Sequence, residues 1–138
     1  MGLPFQHQLR VRYAECDMQG VVFNAQYLSF FDVSITELWR AAFGSYQAML
    51  DHGVDLVVAA ASVRFLRPAR FDDRLAIEIA VAKLGTSSVS TSHRVRRGQS
   101  DIALGEMSHV FVDRDTLAKT PIPAWARDGL APWVVEAS

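Results

Sequence analysis

An α+β domain, with a curved antiparallel sheet of about five strands wrapped around one long central helix, is the fold the sequence predicts. Three observations predict it. A helical stretch beginning near Asn24 carries a broad apolar face, made of Tyr27, Leu28, Phe30, Phe31, Ile35, Leu38, Trp39, Ala41 and Ala42, which is wider than a helix lying on a surface needs. Almost everything after Gly53 alternates at the strand period of two. The connections between those strands are short, and short connections join antiparallel neighbours.

Taken in order, Gln6 to Tyr13 sets His7, Leu9, Val11 and Tyr13 against Gln6, Gln8, Arg10 and Arg12, the pattern of a half-buried strand. The loop "AECDMQG" follows, and helical periodicity then takes over, with Ser29, Thr36, Glu37 and Arg40 opposite the apolar face and Asp32 at its edge. Gly44 suits a helix stop, and "SYQAMLDHG" reads as a short second helix ended by Gly53. "VDLVVAAASVRFLRPA" is a long apolar strand ended by Pro68. "RLAIEIAVAKL", "TSSVSTSHRVRR" and "DIALGEMSHVFVDRD" supply three more strands, the second with Val89, Thr91, His93 and Val95 on one side. "TPIPAWARDGLAPWVVEAS", with three prolines, reads as loop with a short helical piece.

The chain has 138 residues, which predicts one domain over residues 1–138. Half of it is apolar (50%) and 21% is charged, the composition of a folded globular protein. A formal net charge of −1 provides no overall field toward nucleic acid or an anionic membrane. Arg64, Arg67, Arg70, Arg94, Arg96 and Arg97 cluster in the strand region, without the interleaved aromatic residues that stack on bases. A single cysteine, Cys16, forms no intrachain disulfide and reads as a buried thiol. "MGLPFQHQL" lacks the features of a signal peptide, and the longest apolar run, about ten residues, is too short for a membrane span. The expectation is a soluble, cytoplasmic protein with neither a nucleic-acid nor a membrane partner.

The stretch with chemistry in it is "ECDMQGVVFNAQY". By itself, Asp17 followed by Gly20 is turn composition: the acid caps the turn and the glycine supplies a positive φ. Asn24 is a preferred N-cap for the helix that follows. A cysteine nucleophile at Cys16 would need a histidine partner, and none of His7, His52, His93 and His109 shows such a spacing. Nor do they form an HxxxH or Cys/His pattern, so no metal is expected. His93 and His109, on alternating strands, are expected to be satisfied structural histidines.

Asp17, Gly20, Val21, Val22, Phe23, Asn24 and Tyr27, as Asp-x-x-Gly-Val-Val-Phe-Asn-x-x-Tyr, resemble the signature of hotdog-fold acyl-CoA thioesterases of the 4-hydroxybenzoyl-CoA thioesterase type. "VRFLRPARFDDRL", "KLGTSSV" and "TLAKTPIP" resemble later segments of that family in the expected order, and the resemblance covers roughly Arg10 to Pro123. It implies a hotdog fold and hydrolysis of an acyl-CoA. It also implies a homodimer or dimer-of-dimers tetramer with sites at the subunit interface, and coenzyme A only as part of the substrate. In that family the acid at Asp17 is catalytic and the amide at Asn24 supports the carbonyl. Thr86, Ser87 and Ser88 would meet the pantetheine arm, and an acid at Asp32 would meet a hydroxyaromatic acyl group. Tyr27 stands between substrate contact and packing.

The chemistry fits the resemblance. Thioester hydrolysis needs a nucleophile or general base, which Asp17 can be, and donors for the developing oxyanion. The first amides of a helix are such donors, and Gly20 lets backbone and substrate approach. Two rivals remain. A hotdog hydratase or dehydratase pairs a histidine with an acid, and "DMQGVVFNAQYLSFFD" contains no histidine. A non-catalytic acyl-CoA or acyl-carrier binder would not require Asp17.

Overall fold

In the computed structural model, which describes residues 4–135, the chain forms β1 (Phe5–Arg10), a 3-10 turn (Tyr13–Glu15), α1 (Gln26–Phe43) and α2 (Tyr46–Asp51). Strands β2 (Val54–Phe65), β3 (Arg74–Leu84), β4 (Ser88–Arg97) and β5 (Ser100–Asp113) follow, and then α3 (Ala124–Leu130). The strands make one antiparallel sheet in the order β1-β3-β4-β5-β2, so β1 and β2 are its two edges.

Strand alternation decides which side chains point at α1. Leu75, Ile77, Ile79 and Val81 of β3 and Val89, Thr91, His93 and Val95 of β4 are buried, while their neighbours face outward. From α1, Tyr27, Phe30, Phe31, Ile35, Leu38 and Trp39 meet them. The helix comes close because β5 carries Gly105 beneath it: a Cβ there would lie 2.3 Å from the Phe31 ring. The helix in its curved sheet is the arrangement the resemblance implied.

Three readings change. Helix α1 begins at Gln26, with Ala25 and not Asn24 at the N-cap position and no side-chain cap, because the amides of Gln26, Tyr27 and Leu28 close i→i+3 bonds on Phe23, Asn24 and Ala25. Tyr13 is in the 3-10 turn, 80% exposed, rather than on β1. Leu28 and Ala41, at the margins of the apolar stripe, are exposed, and Ser34 is fully buried in their place. The long apolar strand expected after Gly53 is present as β2, and it is largely exposed because it is an edge strand. By contrast, Ser45 caps α2 through the amide of Ala48 at 3.0 Å, and Gly44 and Gly53 follow the two helices at positive φ, as expected.

Candidate active site

The segment from Glu15 to Phe23 is a small hairpin. The Asp17 amide donates to Val21 O at 2.9 Å, the Phe23 amide to Glu15 O at 2.9 Å, and Cys16 bridges Val22. Its turn runs from Asp17 to Gly20: the Gly20 amide donates to Asp17 O at 2.9 Å, and Gly20 takes φ 78°, a conformation glycine adopts without strain. The hairpin is tied down on the other side, where the Val22 amide donates to Ala69 O at 2.8 Å and Val21 bridges Arg70.

The Asp17 side chain has a double character. Its Oδ1 accepts the Gln19 amide at 2.8 Å, so it does cap the turn. Its Oδ2 accepts no hydrogen bond among the described residues. The half-buried Asp17 lines a cavity of ≈ 700 Å³ together with Tyr13, Ala14, Cys16, Met18, Gly20, Phe23, Gln26 and Phe71. That size suits a small-molecule site. The wall is apolar and open: Met18 is fully exposed, Phe23 and Phe71 are about half exposed, and Tyr13 meets Phe71 edge to face at 5.9 Å.

The second strand of the hairpin leads directly into α1. Neither the Asn24 nor the Ala25 amide donates to any acceptor among the described residues, so open N–H groups stand at the positive end of the helix. The hairpin therefore carries a carboxylate, and the two residues that follow it carry unpaired amides.

The other expected residues are distributed differently. Asn24 is exposed, beside the cavity rather than in its wall. Tyr27 is 3% exposed and packs edge to face on Phe30 and Phe65, and lost solvation raises its hydroxyl pKa. Asp32 is exposed on α1, where its charge acts on His109. Thr86, Ser87 and Ser88 form the β3–β4 turn, with Thr86 O and Ser87 O accepting the amides of Ile122 and Phe111 at 2.8 Å each. Because β3 starts at Arg74, just after Phe71, and ends at Leu84, that turn lies at the opposite end of the sheet from Asp17. Cys16 is half-buried and lines the cavity, contrary to the buried thiol expected, because the hairpin stands on the surface of the core.

His93 and His109 are buried, as expected, but not fully satisfied. His93 Nε2 meets Thr91 Oγ1 at 2.8 Å, while the Nδ1 atoms of both rings and Ser34 Oγ have no partner among the described residues. Burial holds His93 down to about 3 and His109 to about 4. No cluster of three or more His, Cys, Asp or Glu side chains that could hold a metal occurs among the described residues.

Three of the six clustered arginines are paired, Arg94 with Asp101, Arg96 with Glu78 and Arg97 with Asp73. Two further concavities, ≈ 610 and ≈ 280 Å³, lie over the small outward residues of the sheet, among them Ser62, Ser92 and Glu106. No helix among the described residues is long and apolar enough to cross a membrane.

Two site residues were not legible in the sequence. Glu15 is 7% exposed, with Oε1 accepting the Arg12 amide at 2.7 Å and Oε2 accepting Arg12 Nη2 at 3.1 Å. Its signal was the spacing of three that closes a capping box, which here closes on an arginine. Phe71 arrives from the β2–β3 connection and carried no signal at all.

Known proteins share this architecture and sequence. Acyl-CoA thioester hydrolase YbgC of Escherichia coli O6:H1 is 34% identical over 110 residues, covering 79% of this chain and 82% of that one. A 1,4-dihydroxy-2-naphthoyl-CoA hydrolase of Synechococcus elongatus is 28% identical over 132 residues, covering 91% and 94%. The crystal structure of the PA5185 protein from Pseudomonas aeruginosa superposes with a TM-score of 0.88 at 28% identity, covering 99% of this chain and 95% of that one. A family model for the thioesterase-like superfamily matches residues 11–133. With that match spanning the hairpin, α1 and four of the five strands, β2 to β5, the chain belongs to the thioesterase-like superfamily.

Proposed function

We propose that this protein hydrolyses acyl-CoA thioesters, using Asp17 as the attacking group or as the base that activates water. The acyl-CoA class rests on the relatives that hydrolyse such thioesters. The role of Asp17 rests on one observation: its unpaired Oδ2 and the unpaired amides of Asn24 and Ala25 lie on one continuous segment, the hairpin and the entry to α1 that directly follows it.

In the base form, Asp17 takes a proton from water as the oxygen adds to the thioester carbonyl. In the nucleophilic form, its Oδ2 adds first, the C–S bond breaks to leave an anhydride on Asp17, and water then cleaves that anhydride. In both forms the amides at the start of α1 hold the negative charge that develops on the carbonyl oxygen. In the base form the C–S bond breaks after water has added; in both forms the products are a carboxylic acid and coenzyme A, which takes up a proton on sulfur. Coenzyme A enters only as part of the substrate. The apolar wall of Tyr13, Met18, Phe23 and Phe71 favours an apolar acyl group next to Asp17.

The working unit is a two-fold dimer. Strand β2 is a 12-residue edge with exposed Val57, Val58 and Ala59–Ala61, a surface that soluble proteins cover. Antiparallel pairing of β2 with its copy continues the sheet and turns the partner end for end. The partner's Thr86–Ser88 turn then comes to the Asp17 end, where it can meet the pantetheine amides. Asp32, on the exposed side of α1, is the group a hydroxyaromatic acyl would select.

The test is release of free thiol from a panel of 4-hydroxybenzoyl-, benzoyl-, short and long aliphatic acyl-CoA by wild type and Asp17→Asn. Turnover that falls at least a hundredfold in Asp17→Asn, with acyl-CoA binding retained, is the expected result. A variant that hydrolyses normally removes Asp17 from the mechanism. Binding of the thioesters without turnover by wild type would make the protein an acyl-CoA binder.

A further inference from the structure

We infer that Glu15 is a positioning residue that fixes the distance between the Asp17 carboxylate and the open amides at the start of α1. The inference rests on the assignment of Asp17 above, and the observations behind it are local. Glu15 is a carboxylate with 7% exposure on the first residue of the hairpin. Its Oε1 accepts the Arg12 amide at 2.7 Å, and its Oε2 accepts Arg12 Nε and Nη2 at 3.2 and 3.1 Å. Its own amide donates to Arg12 O at 3.0 Å. Both the side chain and the backbone of Glu15 are therefore pinned to Arg12, two residues past the end of β1.

That pinned residue is linked through the backbone to both halves of the site. Going forward, Asp17 is two residues along. Going across, Glu15 O accepts the Phe23 amide at 2.9 Å, and Phe23 O in turn accepts the Gln26 amide at 2.9 Å, the first residue of α1. Asn24 and Ala25 lie between those two bonds. If Glu15 slips, the acid and the amides move relative to each other, and a misplacement of about 1 Å at a reacting centre lowers rate by about a hundredfold.

The Arg12 guanidinium contributes less. Its side chain is 78% exposed, and ion pairs with so exposed a member are worth little. The Oε1 bond to the Arg12 amide, at 2.7 Å, is the firmer one, since its donor is held by the backbone and its acceptor is charged. A glutamine at position 15 keeps that acceptor. An alanine removes it.

The experiment compares Glu15→Ala, Glu15→Gln, Arg12→Ala and a core variant of matched thermal stability such as Leu130→Ala, with two readouts. One is kcat and KM on the best acyl-CoA of the panel. The other is amide hydrogen exchange at Phe23, which needs no turnover. Glu15→Ala is expected to lose about 10- to 100-fold in kcat with KM within about threefold, and to speed exchange at Phe23 at least tenfold. Glu15→Gln and Arg12→Ala are expected to lose less on both readouts, and Leu130→Ala to leave Phe23 exchange near wild type. Unchanged exchange at Phe23 in Glu15→Ala overturns the inference whatever the turnover. So does a kcat loss that Leu130→Ala reproduces. If Asp17→Asn proves fully active, the assignment of Asp17 fails on its own, and the Phe23 exchange still reports whether Glu15 holds the hairpin to the helix.

Discussion

The backbone carbonyl of Asp17 accepts the amide hydrogen of Gly20 at 2.9 Å, and Gly20 stands at φ 78°. The acid and the glycine thus belong to one turn, and the turn aims the acid. An added Cβ at Gly20 meets nothing within 4 Å, so the demand on this position is conformational and not steric. Gly20→Ala should therefore destabilise the protein by about 1–2 kcal/mol, the strain of an L-residue in the left-handed region. It should also lower kcat more than it raises KM. Gly20→Asn, which tolerates that region, should lose less of both. Urea unfolding and turnover on purified variants decide it: an alanine variant as stable and as active as wild type would show that the turn does not need a positive φ.

The two buried histidines predict acid lability. Burial is the main cause for both, with His109 further lowering His93 and Asp32 partly raising His109. Their folded pKa values of about 3 and about 4 lie below the ordinary 6.5, so the unfolded chain binds their protons first. Stability is then full above about pH 6.5 and falls as the pH drops toward the folded values. The slope is at most about 1.4 kcal/mol per pH unit for each histidine. Urea midpoints between pH 7 and 4.5 should fall steeply in wild type and less steeply in His109→Leu. An identical slope in that variant would mean that His109 does not carry the effect.

Much of the fold was legible because alternation is local. Val89, Thr91, His93 and Val95 were read to one side of their strand, and all four are buried. What was not legible depends on contacts distant in sequence. A continuous apolar run such as Val54 to Val63 fits a strand buried on both faces as well as an edge awaiting a partner, and only the strand order reveals the edge. Ser34 was passed over because a hydroxyl reads as polar, yet it is fully buried on α1. In the site, Asp17 and Gly20 were legible as neighbours in one turn. Glu15 was not, since a carboxylate at a turn is ordinarily solvated, and neither was Phe71, which reaches the cavity only because the connection after β2 carries the chain from one edge of the sheet back to β3.

Gly105 is a packing glycine. A Cβ built on it falls 2.3 Å from Phe31 Cε2, 2.6 Å from Phe31 Cζ and 3.0 Å from Ser62 O. The Phe31 ring is also held against His93 at 4.7 Å, which limits its retreat. Gly105→Ala should therefore destabilise by about 1–3 kcal/mol, the usual range for overpacking. Combining it with Phe31→Leu should cost less than the sum of the single changes, since the two share one contact. A double-mutant cycle in urea with additive effects would place the strain elsewhere.

The edge strand gives the last prediction. Val58 is 52% exposed in the middle of β2, beside the bulge that leaves Ala59 without a partner residue on β5. In a two-fold antiparallel pair the same segment meets its own copy, so any charge placed there meets itself. Val58→Lys should repel its symmetry mate while remaining solvated, and therefore folded, in the single chain. Light scattering behind gel filtration should give twice the 15.3 kDa chain mass, or a multiple of it, for wild type, and the chain mass for Val58→Lys. Turnover should fall with the mass, because the pantetheine-facing turn at Thr86 to Ser88 would no longer reach the Asp17 end. Retained catalysis in a monomeric Val58→Lys would show that the hairpin, α1 and the aromatic wall of one subunit form a complete site.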